Sequence, residues 1–166
     1  MNWLQKIFKP DQILNNIHEI DFEKLKKMGI NSLLLDIDDT LIPRNVNDVS
    51  PRVFEWVAMR KEEGFKLCII SNSRHPIRVK FIGETLDIPA IPFSLKPLPF
   101  VFLKSFKLLN SKPEECAMIG DQIFMDILGA KFLKIHTIFV KYLTEETFWL
   151  RKWMRRAERW TLDKVL

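Results

Sequence analysis

Ser32-Leu33-Leu34-Leu35-Asp36-Ile37-Asp38-Asp39-Thr40-Leu41 sets three consecutive leucines directly before three carboxylates within four positions. A short, wholly apolar run of this kind reads as a strand buried on both faces of a parallel sheet. The carboxylates then fall at the carboxyl end of the strand, where like charges raise one another's energy unless a cation balances them. A hard divalent cation with oxygen ligands is the natural balance.

Two further runs have the same form: Lys66–Ile70 before Ser71, and residues 115–119 before Gly120 and Asp121. Ser50 as N-cap, Pro51 at the first helical position and Gly64 as the stop frame a helix over 50–63. Pro76–Leu86 and 99–110 repeat that pattern with a short strand between them, and 135–140 is a further strand candidate. Alternating strands and helices of these lengths predict an α/β fold: one domain over 1–166, a three-layer α/β/α arrangement around a mainly parallel, Rossmann-like sheet with right-handed crossovers. Ligands in such sheets bind beyond the carboxyl ends of the strands, so Asp36, Ser71 and Asp121 are expected to meet along one edge. Asp126, five residues after Asp121, extends an oxygen-rich set suited to a roughly octahedral magnesium site.

These residues resemble the four ordered motifs of the haloacid dehalogenase superfamily of phosphatases. Asp36, Asp38 and Thr40 fit its Asp-x-Asp-x-Thr; Ser71, followed by Asn72, fits its strand-end serine; Lys96 before Pro97 fits its lysine; and Gly120, Asp121 and Asp126 fit its last acidic motif. The resemblance implies a Mg2+-dependent phosphate monoester hydrolase. Asp36 would be the nucleophile that forms an aspartyl-phosphate, and Asp38 the general acid and base. Mg2+ would be held by the carboxylates of Asp36 and Asp121 and the main-chain carbonyl of Asp38, with Asp126 in support. Ser71, Asn72, Thr40 and Lys96 would bind the substrate phosphate.

More narrowly, Phe8-Lys9-Pro10-Asp11, Gly120-Asp121-Gln122 and Asp126-Ile127-Leu128-Gly129 are similar to the YqeG-like branch of class IIIA phosphatases. Asp39, Ser73, Met125 and Ala130 stand where that branch would have Asn, Asn, Thr and Gly. Relatives in the branch include phosphatidylglycerophosphate phosphatases, so a phospholipid phosphate is the implied substrate. Neither 41–70 nor 72–95 has room for a cap domain, which leaves the site open to a bulky ester. Arg44, Arg74 and His75 follow the strand-end motifs and are candidate substrate contacts.

The formal net charge is +5, and Arg151, Lys152, Arg155, Arg156 and Arg159 crowd into one short segment. On a helix over about 145–161, Trp149, Leu150, Trp153, Met154, Ala157 and Trp160 fall within an arc of roughly 140°, with the basic residues opposite. This is the pattern of a helix lying in an anionic membrane interface, where each basic residue contributes about 1 kcal/mol. The ordinary alternative is that the apolar face packs on its own domain. RNA is a weaker alternative, because aromatics and cations are segregated rather than interleaved. Trp3, Leu4, Ile7 and Phe8, with Lys6 and Lys9, form a second possible membrane contact. No apolar run reaches the roughly 18 to 20 residues of a spanning helix. The expected location is therefore cytoplasmic, or peripheral on the inner face of a membrane. Cys68 and Cys116 lie in apolar runs and read as buried free thiols. A phosphatase for a soluble ester or phosphoprotein, and a non-catalytic basic assembly factor, are the competing functions.

Overall fold

A computed structural model describes residues 3–44, 46–144 and 147–166, the side chains of Trp3 and Leu4 excepted. In chain order the elements are α1 (Trp3–Phe8), β1 (Gln12–Leu14), α2 (Phe22–Lys27), β2 (Ser32–Leu35), α3 (Pro51–Glu62), β3 (Lys66–Ile70), α4 (Pro76–Leu86), β4 (Ala90–Ile91), α5 (Pro99–Leu109), β5 (Cys116–Gly120), α6 (Leu128–Phe132), β6 (His136–Val140) and α7 (Trp149–Val165). A π-helical turn, Ile123–Ile127, joins β5 to α6. Six strands form one parallel sheet in the order β1-β6-β5-β2-β3-β4.

The sheet confirms the predicted α/β class and adds a strand. Gln12–Leu14 is too short to show a period, yet it pairs with β6. Asp11 fixes that edge by accepting the Thr137 N–H at 2.8 Å and its hydroxyl at 2.7 Å. The leucine run is buried on both sides, as its composition requires. Leu33 and Leu35 join Trp56, Val57, Val79 and Ile82 in one core, while Leu34 joins Phe102, Phe106 and Ala130 in the other. Helices therefore cover both faces of the sheet. Ser50 caps α3 by accepting the Val53 N–H, worth about 1 kcal/mol.

Strand order places the site. The chain steps outward from β2 to β3 and β4, then returns to β5 on the other side of β2. That reversal opens a crevice between β2 and β5, the usual ligand position in a doubly wound sheet. Leu35 is in register with both Ile69 and Ile119, so Asp36, Ser71 and Asp121 emerge at nearly one level.

Helix α7 departs from the self-packing reading of its amphipathic pattern and, at Arg155, from the all-outward placement of its basic residues. It begins at Trp149 and runs to Val165, and Glu145 and Glu146 at the expected start lie outside the described residues. Its tryptophan face does not pack on the domain: Trp149, Trp153 and Trp160 are 71%, 65% and 63% exposed. The inward face carries Arg155, Glu158, Thr161 and Val165, with Arg155 only 7% exposed. One of the five basic residues expected on the polar outer side is thus buried, for a reason that lies in the site below. Phe8, expected in a membrane contact, instead packs edge-on against Phe124 at 5.8 Å. Trp3 and Leu4 lie outside the described side chains.

Candidate active site

After β2 the chain turns tightly. Ile37 O accepts the N–H groups of Thr40, Leu41 and Ile42, and Asp39 adopts a left-handed φ of 66°. An aspartate tolerates that conformation better than most residues. The turn leaves Asp36 buried at the strand end and Asp38 at the rim.

Lys96 arrives from beyond β4 to meet Asp36. Its Nζ stands 2.6 Å from Asp36 Oδ1 and 2.7 Å from Asp126 Oδ1, with all three groups buried. Asn72 positions this lysine: its Oδ1 accepts the Lys96 N–H at 2.8 Å and the Ser94 hydroxyl at 2.6 Å, and its Nδ2 donates to Lys96 O at 3.0 Å. Assigned from sequence to the substrate phosphate, Asn72 commits most of its amide to the lysine loop. Ser71 is buried, with its Oγ accepting the Ser73 N–H at 3.2 Å.

On the other side of Asp36, the last residue of β5 is Gly120. A side chain there would collide with the Asp126 carboxylate. The π-helical turn carries Asp126 back toward the strand, where its Oδ2 accepts the Gln122 N–H at 3.1 Å. π-turns recur at functional sites because they re-aim a side chain. Thr40 Oγ1 donates to Asp121 Oδ1 at 3.4 Å, so this hydroxyl, assigned from sequence to the phosphate, faces a carboxylate.

Two arginines enter that sequence reading leaves unassigned to the site. Arg78, from α4, pairs with Asp38 at 2.9 Å and also donates to Val46 O. Arg155, from α7, donates to the main-chain oxygen of Asp121 at 2.6 Å and pairs with Asp121 Oδ2. Arg78 lies two residues past Pro76, on the first turn of the helix that follows the strand-end serine, and that position was a usable signal. No local pattern announces Arg155. Arg44, a suspected substrate contact, holds Asp39 through Nε at 3.0 Å, and Thr144 donates to the same carboxylate at 2.5 Å. Arg44, Arg74 and His75 all line the cleft.

Burial dominates the electrostatics. It pushes the Asp36 carboxyl up to about 7, with Asp126 and Asp38 adding to the rise and Lys96 opposing it. It likewise raises Asp121 well above the carboxylate range, against the pull of Arg155. For Lys96 burial works against the ammonium, but Asp126 and Asp36 outweigh it and keep the lysine charged. Such crowding fits a divalent cation. Asp36, Asp121 and Asp126 offer oxygens within 4.8 Å of one another, and Asp36 Oδ2 is buried without a hydrogen-bond partner among the described residues. An all-oxygen donor set is the choice of magnesium. The floor opens into a cleft of about 1010 Å³, walled by the loops after β2 and β3, by α4, and by α7.

Comparison with known proteins agrees with this architecture. The model of haloacid dehalogenase-like hydrolases matches residues 45–133, a span that holds Ser71, Lys96, Asp121 and Asp126. A Bacillus subtilis (strain 168) protein named "Probable phosphatase YqeG" is 35% identical over 98% of this chain and 94% of its own length. The glyceraldehyde 3-phosphate phosphatase of Pyrococcus furiosus is 47% identical over 49% of this chain, which spans 38% of that protein. Among solved structures, a HAD phosphatase from Thermococcus onnurineus superposes with a TM-score of 0.58 at 16% identity, over 72% of this chain and 90% of that one, a likeness of fold. With the family model covering half of the chain and a phosphatase relative covering nearly all of it, this chain belongs to the haloacid dehalogenase-like hydrolases, as a phosphatase of that family.

Proposed function

We propose that the chain is a Mg2+-dependent phosphate monoesterase working through an aspartyl-phosphate on Asp36, on an anionic ester with an apolar portion presented at a membrane surface. The observation that carries the chemistry is the buried cluster of Asp36, Lys96, Asp126 and Asp121 at the cleft floor. Asp36 has one oxygen held by Lys96 and the other without a donor among the described residues, as a nucleophilic carboxylate requires. It would attack phosphorus as the bond to the leaving oxygen breaks. Asp38, at the rim, would protonate that oxygen and then take the proton of the water that cleaves the acyl phosphate. Lys96 holds positive charge beside the transferred group throughout. Asp36, Asp121 and the Asp38 carbonyl would hold Mg2+, with Asp126 orienting Lys96; the cation offsets repulsion between the carboxylate and the phosphate.

The walls of the cleft support this substrate class. Arg44, Arg74, Arg78 and Arg151 share the cleft with Ile77, Phe148, Leu150 and Met154, which suits an alcohol portion with further negative charge and hydrocarbon. The outward face of α7 adjoins this opening, with Trp149, Trp153 and Trp160 exposed and Lys152, Arg156 and Arg159 beside them. Exposed tryptophan among cations supports an interfacial role. No helix among the described residues is long and apolar enough to cross a membrane. Phosphatidylglycerophosphate is the first ester to assay.

A soluble ester is the second reading, favoured by α7 forming one wall of the cleft beside the catalytic floor. Phosphate release from phosphatidylglycerophosphate in mixed micelles and from glyceraldehyde 3-phosphate separates the two. The lipid reading expects Asp36-dependent release from micelles, reduced when Trp149, Trp153 and Trp160 are changed to alanine. Release from the soluble ester alone sinks it. Loss of all release in Asp36→Asn tests the chemistry common to both.

A further inference from the structure

Helix α7 docks by charge rather than by its tryptophans. Its apolar anchor lies at the C-terminal end, where Leu162 packs against the cluster of Ile123, Ile127 and Phe139 and Gln5 donates to Val165 O at 3.5 Å. Toward its start, the buried contact with the body of the protein is Arg155. Besides Asp121, its guanidinium reaches Glu158 at 3.4 Å and Asp39 at 4.0 Å, and it lies 4.8 Å from the centroid of the Tyr142 ring. Glu158, 4% exposed, is held by the Phe124 N–H at 3.2 Å.

Asp121 therefore meets protein donors on both carboxylate oxygens: Thr40 at Oδ1, at a long 3.4 Å, and Arg155 at Oδ2, with Arg155 also on its main-chain oxygen. A guanidinium and a divalent cation on one buried carboxylate repel each other strongly, because the surroundings screen poorly. A buried arginine also needs an anion wherever it goes, and Glu158 on the next turn of the same helix supplies one.

We propose that Arg155 and the divalent cation compete for Asp121, so that α7 is a cation-responsive wall of the active site. Arg155 clamps its first two turns to Asp121, and the cation, on taking that carboxylate, releases them, while Leu162 and Val165 keep the far end anchored. This rests on the reading of Asp121 as a metal ligand. Coupling of this kind is reciprocal: a surface that draws the outward face of α7 away raises the affinity for the cation, and loading frees the helix for that surface. Arg155 is here a positioning residue, tuning the site through Asp121.

Calorimetric titration of MgCl2 into the wild-type chain, Arg155→Gln and Asp121→Asn tests this, with amide hydrogen exchange of residues 149–156 measured with and without Mg2+. The proposal expects Arg155→Gln to bind Mg2+ about tenfold more tightly, within the usual range for coupled sites. It also expects Mg2+ to speed exchange of 149–156 in the wild type and not in Arg155→Gln. If Asp121→Asn loses binding while Arg155→Gln matches the wild type, competition is overturned and the ligand role of Asp121 stands. If Asp121→Asn binds as the wild type does, both fall. Should Arg155→Gln fail to fold, exchange in the wild type decides alone, and unchanged protection of 149–156 overturns the proposal.

Discussion

Lys96 Nζ and Asp36 Oδ1 stand 2.6 Å apart, both side chains almost sealed from water. Removing one partner of a buried pair leaves the other charge uncompensated, which costs about 3 to 5 kcal/mol. In Lys96→Met the loss falls on two carboxylates, Asp36 and Asp126. The expected result in metal-free buffer is a destabilisation of that order by urea unfolding. With Mg2+ restored, kcat on p-nitrophenyl phosphate should still fall about 100- to 1000-fold, as when one donor to a transition-state oxygen is removed. A variant with wild-type kcat would take Lys96 out of the chemistry.

Arg78 holds Asp38 at 2.9 Å while its other nitrogens are fixed on Val46 O. A general acid contributes only when it is aimed at the leaving oxygen, and general acid–base catalysis is worth about 100- to 10,000-fold. With Asp38 in its proposed role of general acid, Arg78→Ala loosens the aim without removing the acid. We expect kcat to drop about tenfold, a fraction of that range, with little change in melting temperature because the pair lies at the rim. The same kcat ratio for a substrate with a good leaving group, which needs no protonation, would argue against this role.

Gly120 admits the Asp126 carboxylate where a Cβ would stand. Gly120→Ala must push Asp126 away, and with it the second anion of Lys96. Overpacking of this kind costs about 1 to 3 kcal/mol. Activity should fall further than stability suggests, because Lys96 re-aims toward Asp36. Circular dichroism melts alongside kcat test both halves of the expectation.

The strand-end residues are legible in sequence because Asp36, Ser71 and Asp121 each close an unbroken apolar run, and parallel pairing brings those ends to one level. Arg155 is not legible. Hydrophobic periodicity assigns the apolar stripe of a helix to the interior, and here the pull of Asp121, 34 residues away, overrides it and turns the tryptophans outward. Asn72 shows a finer limit. Its position beside Ser71 is plain in the sequence, but only the fold brings in the Lys96 main chain that takes up its amide. β1 is invisible for want of length, and is recruited by β6 and the Asp11–Thr137 hydrogen bonds.

The raised Asp36 carboxyl predicts an unusual pH response. Unfolded, the group titrates near 3.8; folded and metal-free, near 7. Between those values the native state keeps a proton that the unfolded chain has lost, so stability falls as pH rises through this window and levels off above it. Asp121, also raised, acts in the same sense. Asp11 acts in the opposite sense: its carboxyl is lowered because bonds to Lys131 and Thr137 outweigh burial, so its contribution is lost only in more acid solution. A divalent cation favours the carboxylate form and removes the penalty. The gain in melting temperature from MgCl2 over EDTA should therefore be larger at pH 8 than at pH 5, and Asp36→Asn should flatten the metal-free profile between them. A magnesium gain independent of pH would mean that the cation does not bind where Asp36 ionises.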